Sequence, residues 1–119
     1  MIIPGFKGEI ESDAKARAKY SRDASLFKVV PQAAVFPRDT DDVKALVKFV
    51  NANRHLGITL TARAAGTDMS GGPLTESLVV DFTRHMNAIR EVGYGTAVTQ
   101  PGAYYRDFAK AIAAQGFLL

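Results

Sequence analysis

The chain has 119 residues, 47% apolar and 23% charged, ordinary values for one folded domain that exclude disordered, collagen-like and low-complexity classes. The absence of cysteine excludes disulfides, iron–sulfur clusters, thiolate zinc sites and a cysteine nucleophile. Net charge is +3, but acids and bases interleave (Lys15, Arg17, Lys19 and Arg22 among Glu9, Glu11, Asp13 and Asp23), without the basic cluster that a nucleic-acid footprint needs.

Residues 1–25 read as an N-terminal helical segment, with a polar helix over residues 10–22 whose only apolar groups are Ala14, Ala16, Ala18 and Tyr20. Residues 26–119 read as the main lobe. Ala33-Ala34-Val35-Phe36, closed by Pro37, predicts a buried strand. Thr40 is the expected N-cap of a helix whose apolar row is Val43, Leu46, Val47 and Val50. Arg54 and His55 fall in its last turn, and Gly57 is its stop. Ile58 to Thr61 is β-branched and strand-like, so residues 33–61 predict a βαβ crossover and a parallel pair.

Ser77 to Asp81 is a further short strand, with Asp81 placed to cap the turn after it. Ile89 to Val92 and Thr96 to Thr99 predict a hairpin. Tyr104 to Gln115 predicts a second amphipathic helix, its face formed by Tyr105, Phe108, Ala109 and Ile112, with Gly116 as its stop. Phe117-Leu118-Leu119 is an apolar end, expected of an element that continues. Apolar runs such as Leu78-Val79-Val80 are far shorter than the ~18 residues that span a bilayer. The first residues lack a signal peptide's apolar core, so a cytoplasmic location is expected, compatible with peripheral membrane attachment of the intact protein.

Between the second and third strands lies Arg63-Ala64-Ala65-Gly66-Thr67-Asp68-Met69-Ser70-Gly71-Gly72, the one segment with a distinctive chemical signature. Its glycines admit positive φ, and successive amides in such a bend form a concave anion site. Thr67 and Ser70 add hydroxyls and Arg63 a positive charge. A phosphate-bearing ligand at the carboxyl end of a parallel sheet suits this context; a glycine-rich connection without a ligand is the plainer alternative. The loop is neither a P-loop nor a G-x-G-x-x-G fingerprint. A non-enzymatic α/β module that binds another phosphorylated ligand, or a protein, through the same loop is the rival from a different class. His55 reads as a helix-end residue, His85 as a loop residue without a partner, and Tyr104 and Tyr105 as core and rim.

Five segments occur in one order: Tyr20-Ser21-Arg22-Asp23-Ala24-Ser25; Ala33 to Pro37 with Thr40-Asp41-Asp42-Val43; Arg63 to Gly72; Val80-Asp81-Phe82; and Gln100-Pro101-Gly102. This order resembles the N-terminal FAD-binding region of FAD-linked oxidases of the vanillyl-alcohol oxidase superfamily, and within it the glycolate oxidase subunit and D-lactate dehydrogenase group. The resemblance implies an α/β fold, a small, mainly parallel sheet flanked by helices, as the first lobe of a two-lobe FAD-binding domain. It implies that Arg63, Ala64, Ala65, Gly66, Thr67, Asp68, Met69, Ser70 and Gly71 hold the FAD pyrophosphate, with Pro37 toward the adenosine end. A second FAD lobe and a substrate domain, which carry the catalytic residues for oxidation of a 2-hydroxy acid, are implied beyond residue 119. Alone, this lobe would hold FAD weakly or not at all, and its uncovered apolar surface would favour self-association.

Ala64 and Ala65 stand where the family has glycines; a positive φ at either would cost about 1–2 kcal/mol. Asp68 stands where serine is usual. Two like charges ~4 Å apart near a protein surface repel by about 4 kcal/mol, so Asp68 is expected to turn from the phosphates into an Asx-turn. The loop holds no histidine of the kind that tethers flavin covalently in some relatives, which implies non-covalent FAD.

Overall fold

The computed structural model describes residues 1–119. Its chain order is β1 (Glu9–Glu11), α1 (Ala14–Lys19), β2 (Ala33–Phe36), α2 (Thr40–Ala52), a 3-10 turn (Arg54–Leu56), β3 (Leu60–Arg63), β4 (Leu78–Asp81), β5 (Ile89–Gly93), β6 (Thr96–Thr99) and α3 (Tyr105–Ala114). Four strands form one sheet in the order β1-β2-β4-β3, and β5-β6 form a separate hairpin. The sheet is mainly parallel: β4 runs parallel to both β2 and β3, while β1 is antiparallel to β2. No helix is long and apolar enough to cross a membrane.

The crossover over residues 33–61 is present, but β2 and β3 are not neighbours, because β4 inserts between them. That burial on both sides is why β2 and β4 are continuous apolar runs, each buried throughout. β3 begins two residues later than its β-branched run suggests. Its start is set by pairing, Leu60 with Leu78, while the amide of Thr59 donates to Ser77 Oγ at 2.9 Å.

The expected 10–22 helix is shorter than read: α1 spans Ala14–Lys19, and residues 9–11 pair with β2 instead. Asp13 sets the start by accepting from the Ala16 amide at 2.8 Å. Residues 1–25 share the core with the rest. Ile3 packs with Val35, Leu46 and Val80; Tyr20 packs with Ala34, Phe36 and Val79. The edge strand β1 is pinned to the turn after β4 by Arg84–Glu11 at 2.8 Å and His85–Glu9 at 2.7 Å. His85 therefore has a partner, which the sequence reading did not give it. Burial opposes the Glu9 charge, but the hydrogen bond from His85, a backbone hydrogen bond and the nearby Arg38 charge together hold the carboxyl below its ordinary value.

The cap of α2 is Asp39, not Thr40; its side chain accepts from the Asp42 amide at 2.9 Å. The buried row is turned from the one expected. Asp42, Ala45 and Leu46 are buried and Phe49 packs on the core, while Val47 is 54% exposed. Asp42 causes the turn. Its carboxylate accepts from the Lys7 and Arg38 amides, both at 2.9 Å, and these bonds hold its side of the helix inward. α2 ends at Ala52, so Arg54 and His55 sit in the 3-10 turn, and left-handed Gly57 closes it.

The hairpin and α3 stand where the sequence places them. Of the expected α3 face only Ile112 is fully buried, and Tyr104 and Tyr105 are exposed rather than core and rim. The unit joins the sheet at Gly102, whose amide donates to Met86 O at 2.8 Å. A side chain at Gly102 would collide with the carbonyl of Phe82, so only glycine admits this approach.

Candidate functional site

The loop after β3 emerges at the carboxyl end of the parallel strands, beside the end of β4. Arg63 still pairs with Asp81, and the Phe82 amide donates to Arg63 O at 3.1 Å. Beyond Arg63 the ladder stops. The amides of Ala64, Ala65, Gly66, Thr67, Asp68 and Met69 make no hydrogen bond within the chain, and neither does that of Gly71. Backbone N–H groups are obligatory donors, so six in succession leave a strip of positive dipole ends available to a ligand or water. Gly66 (φ 68°) and Gly71 (φ 81°) supply the left-handed turns that bend the strip, and no other residue type in the chain has positive φ. Ala64 and Ala65 therefore carry no left-handed strain.

Asp68 forms the expected Asx-turn. Its Oδ1 accepts from the Ser70 amide at 2.6 Å and from Gly72 at 3.3 Å. The carboxylate is thus engaged within the loop, while the Asp68 amide stays free. Thr67, Met69 and Ser70 are exposed. The loop walls an open cleft of about 510 Å³ that reaches from Ala62 to Pro73.

Arg63 and Pro37 stand differently from their expected places. The Arg63 guanidinium lies 5.3 Å from the centre of the Tyr20 ring and fills the space that a side chain at Gly66 would need. Its Nη1 is buried without a partner. Arg63 borders the cleft but spends much of its cation beneath the loop. Pro37 is fully buried at the end of β2, so its ring has no surface for a ligand.

A second open cleft, about 500 Å³, lies between Ala65 and Thr67 on one side and Tyr104, Tyr105, Arg106 and Asp107 on the other. The first turn of α3 therefore faces the same loop. Its N-cap, Tyr104, makes no side-chain cap bond, and Asp107 brings a carboxylate into the same turn. The sequence reading did not count this turn among the site residues. The available signal was a helix start without serine, threonine, aspartate or asparagine.

Beside Asp81, the phenol of Tyr20 donates to Oδ2 at 2.5 Å, and Thr83 donates to Oδ1 through its amide (2.7 Å) and hydroxyl (2.6 Å). Burial, and then the Asp81 carboxylate, raise the Tyr20 phenol above its ordinary value. Asp81 caps the turn as expected. Its carboxylate is enclosed and fully bonded, a structural arrangement. No group of three His, Asp or Glu side chains converges as metal ligands.

Residues 31–119 match the family model described as FAD binding domain. Over 88 residues the chain is 42% identical to a D-2-hydroxyglutarate dehydrogenase of Pseudomonas putida, a match that takes in 74% of this chain and 9% of that protein. It is 32% identical over 104 residues to a glycolate oxidase subunit of Bacillus subtilis, covering 84% of this chain and 22% of the subunit. The chain thus spans between 9% and 22% of the length of these curated relatives. An alkyldihydroxyacetonephosphate synthase superposes with a TM-score of 0.74 at 22% identity, over 90% of this chain and 22% of the other, which establishes a shared fold. By the extent of the family match, the chain belongs to the FAD binding domain family.

Proposed function

We propose that the main chain of the Arg63–Gly71 loop holds the pyrophosphate of FAD, so that this chain anchors the ADP half of the cofactor. The observation that carries the reading is the run of six consecutive unbonded amides, bent by left-handed glycines. The residues fit a diphosphate: the donors are free, and the one carboxylate in the loop is tied to Ser70 and Gly72. Arg63 supports the loop from below and contributes long-range charge. Pro37 backs the site from within the sheet. Nothing in the loop is a histidine, which favours non-covalent retention.

In the intact protein the reading is oxidation of a 2-hydroxy acid, the substrate class named in two relatives. Bound FAD would accept the hydride. This chain's residues anchor and orient, and the substrate-facing groups are assigned to the remainder of the polypeptide. Binding energy at a remote diphosphate then helps to place the reacting ring.

Titration of Gly66→Val and Arg63→Ala with FAD and ADP tests the loop. A β-branched side chain at φ 68° is strained and must displace Arg63. Both variants should lose nucleotide binding while keeping the wild-type circular dichroism, and ADP should compete with FAD on the wild type. Retained affinity in both variants would contradict the assignment.

A further inference from the structure

The segment Tyr20 to Phe27 is given no role in holding the ligand above, yet its Tyr20 and Phe27 rings lie against the residues of the loop. Two supports rise from it. The first is the Tyr20 ring, fixed to the sheet through Asp81, with the Arg63 guanidinium stacked on it and filling the space under Gly66. The second is Phe27: a side-chain carbon built on Gly71 would sit 3.0 Å from its Cδ2. Each left-handed glycine of the loop therefore rests on a side chain held by this segment.

Asp23 orders the turn that carries the second support. Its Oδ1 accepts from the Ser25 amide at 2.8 Å, and Ser25 Oγ accepts from the Phe27 amide at 3.1 Å, which fixes the turn that delivers the ring. Its Oδ2 is buried without a partner, as is Nη1 of Arg63, and these are the two unpartnered buried side-chain polar atoms of the chain. Burial opposes the Asp23 charge, but hydrogen bonds from Ser25, together with the Arg63 cation, hold the carboxyl below its ordinary value.

We propose that residues 20–27 are the positioning element of the Arg63–Gly71 loop, with Tyr20 setting Arg63 under Gly66 and Asp23, through Ser25, setting Phe27 under Gly71. One Asp23 oxygen orders Ser25 and so Phe27 under Gly71; the Tyr20 ring holds the Arg63 guanidinium under Gly66. The effect on ligand rests on the pyrophosphate reading; the effect on loop order does not. Pre-setting the loop lowers the ordering cost of binding.

The test is amide ¹⁵N relaxation of the 119-residue chain, with and without ADP. In wild type the Gly66 and Gly71 amides should have order parameters of about 0.85. Tyr20→Leu removes the ring beneath Arg63, so Gly66 should fall below about 0.6 while Gly71 stays ordered. Phe27→Ala should loosen Gly71 and leave Gly66, and Phe27→Leu should restore it. Both loosened variants should bind ADP about five-fold more weakly, and Phe27→Leu should recover this. Amides of β2 and β4 report whether each variant is folded, and the exposed Phe27 site keeps the test readable if Tyr20→Leu unfolds. Unchanged loop order in folded Phe27→Ala would overturn the proposal, whatever ADP does. Wild type unmoved by ADP, with the loosening as stated, would sink the pyrophosphate reading alone.

Discussion

The phenol of Tyr20 donates to a carboxylate 61 positions further along the chain, inside the core. Tyr20→Phe removes the donor and leaves Asp81 Oδ2 buried without it. The expected cost is about 1–3 kcal/mol at neutral pH, measured by urea unfolding. The pH dependence follows from the same bond. The folded-state pKa lies above the ordinary value of 10.0, so the contribution is fully present below pH 10 and is lost as pH rises through the folded value. Wild type should therefore lose more stability than Tyr20→Phe above about pH 10. Equal alkaline losses would show that another group is responsible. At this scale the sequence was legible where a residue acts on its near neighbours. The Asp68 Asx-turn and the Asp81 cap are contacts over two to four positions. Arg63 was misplaced because its partner, the Tyr20 ring, is distant in sequence. Local pattern shows a charge but not the side of the backbone on which it is spent. Phe27 and His85 escaped for the same reason.

Among the elements, α2 shows how a correct period can carry a wrong phase. Val43, Leu46, Val47 and Val50 is a valid helical stripe, yet the buried row runs through Asp42, Ala45 and Leu46. Apolar periodicity assumes that charged residues face water. Asp42 breaks that assumption by satisfying the Lys7 and Arg38 amides from a buried position. The two phases differ measurably at adjacent residues. Leu46→Ala should cost about 2–5 kcal/mol through the cavity it leaves. Val47→Ala should stay within about 0.5 kcal/mol. Comparable losses at the two positions would restore the valine-row phase. The same limit explains α1. Alanines and long charged side chains read as helix over residues 10–22, but unpaired β2 edge groups recruit residues 9–11 into the sheet.

For the molecule as a whole, the α/β class and the parallel sheet follow from short apolar strands separated by an amphipathic helix. Strand order did not follow, since nothing local says that β4 enters between β2 and β3. The convergence of α3 on the loop was also hidden. It depends on Gly102 passing against the Phe82 carbonyl, a contact between segments twenty residues apart. These two tertiary events build the site: one carries the loop to the carboxyl end of the sheet, and the other brings the uncapped helix start across from it. The central claim is that main-chain amides in this loop hold a diphosphate, and amide chemical-shift mapping with ADP tests it most directly. At about 10 mM ADP, enough to see a millimolar site of roughly −4 kcal/mol, the account predicts shifts concentrated at Ala64 to Gly71 and the first turn of α3, with those of the loop amides reproduced by inorganic pyrophosphate. Shifts centred elsewhere, or none in the loop, would contradict it.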